Sequence, residues 1–228
     1  MRKYLLTLTL LLLGLLELSA QPIITPYQYR KRWFVNLQTG VSMLSSEYGR
    51  TLKSKRYSFY NEAIVGYYFT DAHEIRASLA YAPRTSLLSP DVYGVHPYTF
   101  SSTQFFVDYV VNWHPLGENN TAYNPQMYVG LGGAVTNHFS DPKNDPESSD
   151  YYPDEYLPRP YPLNILPALR FGVIFEYDFR NNLGLTVDLG GQFYPDRFNG
   201  QAPDIWPVDI QFNGTVGVVY HFKKWKKK

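Results

Sequence analysis

The sequence predicts an all-β fold: an eight-stranded antiparallel up-and-down transmembrane β-barrel with long external loops. Three observations predict it. A period of two in side-chain polarity recurs in eight segments, and none sustains a 3.6-residue period. The connections between those segments alternate long and short, as they do when every second connection lies on the same rim of a barrel. The more apolar face of each segment carries no charge, whereas the opposite faces together carry nine.

The chain begins with Arg2 and Lys3, an apolar run from Leu5 to Leu16, and then Leu18, Ser19 and Ala20. A positive start, about a dozen apolar residues and a small residue at the end describe a secretory signal peptide, with cleavage expected after Ala20. The apolar run is too short for a transmembrane helix. The expected organisation is therefore a signal peptide at 1–20, a barrel at 21–222 and a basic periplasmic tail at 223–228.

In the first strand segment, 33–43, Trp33, Val35, Leu37, Thr39, Val41 and Met43 alternate with Phe34, Asn36, Gln38, Gly40 and Ser42. The same alternation places strands at 59–69, 74–82, 103–113, 126–136, 168–179, 183–194 and 208–222. Roughly ten residues is the length a tilted strand needs to cross an outer-membrane hydrocarbon layer. The intervening connections run about 15, 4, 20, 12, 31, 3 and 13 residues. Those at 70–73 and 180–182 have hairpin lengths. All 17 prolines fall outside the segments, as strands paired on both sides require. The longest connection, 137–167, holds seven prolines and six acids and reads as an external loop.

The faces decide what the barrel stands in. The uncharged face includes Val65, Leu79, Val107, Leu131, Val173, Val187 and Val216. The other holds Glu62, Glu74, Arg76, Asp108, Arg170, Glu176, Asp178, Asp188 and Asp209. A charge facing lipid at mid-depth costs roughly 2–4 kcal/mol for Arg or Lys, so lipid outside and charges inside is the physical expectation. A soluble lipocalin-like barrel would put the apolar face inside. Two features favour the membrane. Trp33, Tyr67, Phe69, Trp113, Tyr177, Phe179, Tyr220 and Phe222 gather at one set of strand ends, a periplasmic aromatic girdle. The polar face is rich in glycine, which suits a crowded lumen.

Composition narrows the function. Without cysteine there is no disulfide framework and no Cys-ligated metal. A net charge of +1 argues against a nucleic-acid partner. Removing 1–20 leaves 19 basic against 19 acidic residues, and five of the basic ones sit in Lys223–Lys228, so the barrel itself is acidic. Mean hydropathy, −0.31, averages a lipid-facing set with a polar lumen and wet loops.

On the signal peptide, the glycine-rich strands Met127-Tyr-Val-Gly-Leu-Gly-Gly-Ala134 and Gly184-Leu-Thr-Val-Asp-Leu-Gly-Gly191, and the last strand Gly217-Val-Val-Tyr-His-Phe222, the chain resembles small outer-membrane β-barrel proteins of the OmpA-like and PorT-like kind. The resemblance covers 30–222 and implies insertion by a barrel-assembly machinery that reads a last strand ending in an aromatic residue. Phe222 fills that place, although Lys223–Lys228 follow it.

The luminal charges are the first candidate site: Glu62, Glu74, Arg76, Asp108, Arg170, Glu176, Asp178 and Asp188, with Asp209. An eight-stranded bore is only wide enough for side chains, so the two arginines are expected in networks with acids. Arg76 is placed near the periplasmic end and Arg170 near the external end, with Tyr60, Tyr68 and Tyr128 donating to surplus carboxylates. That reads as a plugged interior, with a narrow cation-preferring pore as an alternative. Asn137-His138-Phe139-Ser140 resembles the His-x-Ser motif of outer-membrane lipid A deacylases, with Asp150, Asp154 or Glu155 as the acid, a second alternative. The acids of 137–167 could bridge divalent cations near lipopolysaccharide, and Tyr151–Pro162 could meet a protein partner. Histidines 73, 96, 114, 138 and 221 show no metal-ligand spacing, so neither metal nor cofactor is expected. The reading is a non-enzymatic outer-membrane component of a Gram-negative envelope. Its partners would be outer-membrane lipid and lipopolysaccharide, the assembly machinery and an envelope protein.

Overall fold

A computed structural model describes residues 32–45, 57–70, 72–87, 97–113, 123–137, 165–179, 182–195, 198 and 208–222. The expected signal peptide, the lysine tail and the interior of the 137–167 connection lie outside them. Eight strands form: β1 (Arg32–Ser45), β2 (Tyr57–Tyr68), β3 (His73–Leu87), β4 (Pro97–Asn112), β5 (Tyr123–Asn137), β6 (Leu166–Asp178), β7 (Leu183–Pro195) and β8 (Val208–His221). Each pairs antiparallel with the next and β8 closes on β1, so the barrel has no free edge. No helix among the described residues is long and apolar enough to cross a membrane.

Seven of the eight strands are longer than polarity alternation suggested, and for a physical reason. Alternation marks only the stretch in contact with lipid, whereas backbone pairing continues above it. The β3–β4 ladder runs from His73 opposite Val111 to Leu87 opposite Pro97, so the connection expected at 83–102 shrinks to 88–96. The same extension corrects the expectation that every proline lies outside a strand. Pro83, Pro97, Pro125, Pro167 and Pro195 are strand residues. Pro97 and Pro195 are terminal. Pro83 lies beyond the last β2 partner, Asn61 opposite Tyr81. Pro125 lies past the end of the β4 register, and Pro167 past the end of the β7 register. Each sits where one neighbouring ladder has stopped, so a missing N–H costs no ladder bond there. The tight β6–β7 turn ends on Asn182, whose φ of 59° is the left-handed conformation such turns use.

Alternation sorts the side chains. Val65, Leu79, Val107, Leu131, Val187 and Val216 face outward, Leu131 with 67% of its surface exposed. Two outer-face glycines are covered by rings from the neighbouring strand: a Cβ on Gly133 would meet Phe105 at 2.9 Å, and one on Gly191 would meet Phe171 at 3.1 Å. Inside, three layers stack along the axis. Leu44, Phe100, Phe106, Ala134, Leu166, Ala168, Tyr194 and Phe198 close the external end. Charged groups fill the middle. Phe34, Ile64, Tyr68 and Val219 pack beside a second polar cluster at the periplasmic end.

Candidate functional site: the lumen

Every Asp, Glu and Arg side chain among the described ones is buried inside the barrel, including Asp209. The middle layer follows from register. Arg76 on β3 faces Asp108 on β4, Asp108 faces Gly130 on β5, and Gly130 faces Arg170 on β6. Gly130 lets the row close, because a Cβ there would overlap Asp108 Oδ1. Arg170 reaches over the bare glycine. Its Nε donates to Asp108 Oδ1 at 2.5 Å, and its Nη2 contacts Asp108 Oδ2 and donates to Ser78 Oγ at 2.8 Å. Its Nη1 crosses the bore to Glu62 Oε1 on β2 at 2.6 Å. Arg76 Nε donates to Asp108 Oδ2 at 2.6 Å, and its Nη2 points to Asp188 Oδ2 at 3.4 Å. The Tyr128 hydroxyl donates to Asp188 Oδ1 at 2.9 Å, while its ring lies 4.1 Å from the Arg76 guanidinium carbon. Phe106 lies 4.4 Å from that of Arg170.

This corrects the separation of the two arginines expected from their positions along their own strands. Both meet Asp108. Strand tilt and stagger in a barrel carry a residue's height away from its place in its own strand, and only the register reveals that. Of the three tyrosines expected to serve carboxylates, Tyr128 and Tyr68 do so. Tyr60 instead accepts from Gln192 Nε2 at 3.2 Å. Further bonds span the bore, among them Gln104 Nε2 to Gln211 Oε1 at 3.1 Å and Asn36 Nδ2 to Thr186 Oγ1 at 3.1 Å.

At the external end Phe198, from the β7–β8 connection, is fully buried. It stacks on Tyr194 at 4.0 Å and meets Phe100 edge-on at 5.8 Å. At the periplasmic end His221 Nε2 lies 2.7 Å from Glu176 Oε1 and 3.2 Å from Asp178 Oδ1. Sequence spacing gave no hint of this grouping, because the ligand-type residues come from β6 and β8 and meet only when β7 is laid between them. The expected lack of metal-ligand spacing concerns the histidines among themselves, whereas His221 stands with two carboxylates.

On the outside, the eight girdle aromatics project outward at the ends of β1, β2, β4, β6 and β8. Trp33 lies 5.0 Å from Tyr67, while Tyr177 meets Phe179 and Tyr220 meets Phe222 edge-on. Tyr57, Phe59, Tyr81 and Phe212 form a second exposed aromatic set toward the opposite rim, which the sequence reading missed. They sit on alternating positions like any strand residue, so only register shows their common height. His138, Ser140, Asp150, Asp154, Glu155 and Tyr151–Pro162 lie outside the described residues.

A closed barrel with an uncharged apolar exterior and its charges locked inside is stable only where its outside meets lipid. The chain is an outer-membrane β-barrel. No family model matches it, and no curated protein does. Among solved structures it is similar to a major outer membrane protein from Thermus thermophilus, with a TM-score of 0.53 and 13% identity over 85% of this chain and 100% of that one. Neisserial surface protein A matches with a TM-score of 0.49 and 14% identity over 83% and 97% of the two chains. Ail, the attachment invasion locus protein of Yersinia pestis, matches with a TM-score of 0.48 and 11% identity over 85% and 100%. At these identities the likeness is one of fold. By the rule of outer-membrane barrels, the rim with the tight turns at 69–72 and 179–182 faces the periplasm, with both strand termini beside it.

Proposed function

We propose that this outer-membrane barrel is a non-enzymatic structural or interaction component of the envelope. Its lumen is a closed scaffold, and its contacts are made by the external connections or the basic tail. The observation that carries this reading is the Arg170 guanidinium, which bonds Asp108 on β4 and Glu62 on β2 at once and so ties the bore shut across its width. Phe198 in the external end supports it. A plugged bore leaves recognition to the outside. There lipopolysaccharide is a partner for the acidic 137–167 connection through bridging divalent cations, and an envelope protein is a partner for its Tyr- and Pro-rich run or for Lys223–Lys228.

Two measurements test the reading. Purified full-length protein in planar bilayers is expected to give no discrete conductance steps, and reproducible cation-selective steps would replace the scaffold with a pore. Photo-crosslinkers placed in 137–167 and in 223–228 are expected to capture a defined envelope partner in cells. Capture of nothing from either, together with a changed lipid A acyl pattern on expression that His138→Ala abolishes, would move the function to a rim hydrolase.

A further inference from the structure

We propose that the periplasmic end of the lumen is a binding site for a divalent transition-metal ion of the zinc type, held by Glu176, Asp178 and His221 with Glu74 beside them. One ligand atom from each of Glu176, Asp178 and His221 can be chosen so that all lie within 4.8 Å of one another. The ligating atoms face each other at 2.7 and 3.2 Å, Nε2 to Glu176 Oε1 and Nε2 to Asp178 Oδ1. A tetrahedral ion with bonds of about 2.0–2.2 Å spaces its ligands about 3.4 Å apart, so seating it opens the Glu176 contact by about 0.7 Å and the Asp178 contact by about 0.2 Å.

A second observation points to a ligand. Glu74 is 1% exposed, and its Oε2 has no hydrogen-bond partner among the described residues. Its charged neighbours are Glu176, Arg76 and His221, and its hydrogen bond comes from Tyr68, the hydroxyl that also reaches Glu176. Arg76 is committed to Asp108 and Asp188. The cluster thus holds three carboxyl groups and one imidazole in a buried place, a convergence of ligand atoms that a cation would satisfy. Asn124, opposite Glu176 in the β5–β6 register and 1% exposed, has no partner for either amide atom among the described residues. Its oxygen is a further neutral donor on that wall.

The support is built as well. Gln126 Nε2 donates to Glu176 Oε2 at 3.2 Å, and the Tyr68 hydroxyl lies 3.4 Å from the same oxygen, which turns Oε1 toward His221. An imidazole nitrogen among carboxylates selects zinc-like ions over calcium or magnesium, which prefer all-oxygen shells. Asp178 and His221 are the last residues of β6 and β8, so an ion enters from the periplasmic side.

The test uses full-length protein folded in detergent micelles, stripped with chelator and titrated calorimetrically with zinc chloride. One ion per chain is expected, with His221→Gln and Glu176→Gln each weakening binding by about tenfold or more. His73→Gln and His138→Gln are expected to leave it unchanged. Folding of each variant is checked by its heat-modifiable gel migration. Absence of saturable binding, or binding that survives both substitutions in folded protein, overturns the site, since a proton between His221 and Glu176 would then be the occupant. If the substituted barrels do not fold, the 15N shift of His221 Nε2 in wild type decides. A coordination shift on zinc addition supports the site, and an unmoved resonance refutes it.

Discussion

The middle and the periplasmic end of the lumen use the same kinds of groups to opposite effect. In the middle, two guanidiniums meet Glu62, Asp108 and Asp188, and each arginine has at least two carboxylates within 3.4 Å. At the periplasmic end two carboxylates share one histidine with Glu74 beside them, and polar atoms of Glu74 and Asn124 have no hydrogen-bond partner among the described residues. Similar burial with a different charge balance teaches that the lumen is not uniform filler. One layer is closed electrostatically by its own side chains, and the other is open to a cation.

Breaking the middle layer should have the largest effect. Arg170→Ala removes the bonds to Asp108, Glu62 and Ser78 and strands buried carboxylates, at a cost of about 3–5 kcal/mol in reversible urea unfolding. His221→Gln, measured the same way in chelator, is expected to cost clearly less. Equal losses would erase the distinction between the layers. Gly130→Ala tests whether the middle layer depends on an empty position. Its Cβ would displace the Asp108 carboxylate, and about 2–3 kcal/mol of destabilisation is expected, against at most about 1 for Gly191→Ala, whose Cβ meets a ring edge on the lipid side. The smallest effect sharpens the periplasmic layer. Asn124→Leu replaces an amide that bonds to nothing with an apolar group of similar size, so zinc-free stability should change by less than about 1 kcal/mol.

The residues that face inward were legible from alternation alone, because a strand sends successive side chains to opposite faces and lipid tolerates no charge at depth. Glu62, Arg76, Asp108 and Arg170 are on the luminal face for that reason. Their partners were not legible. The meeting of Arg170 with Asp108 depends on Gly130 standing between them in register, and the grouping of His221 with Glu176 and Asp178 depends on β8 lying beside β7. The prolines show the same limit from the other side. A proline in a strand is forbidden only where both neighbours are still present, and where a neighbour stops is a property of the stagger.

By itself the sequence determined the number of strands, their order around the barrel, the lipid-facing and luminal sets and the membrane the barrel crosses. All of these follow from a period of two and from the cost of charge in hydrocarbon, which act along one strand at a time. Only the tertiary structure decided which luminal residues share a height: Arg76 and Arg170 on one aspartate, two carboxylates on one histidine, Phe198 folded into the external end. Height is set by closing eight tilted strands into a ring, and that closure is a property of all of them together.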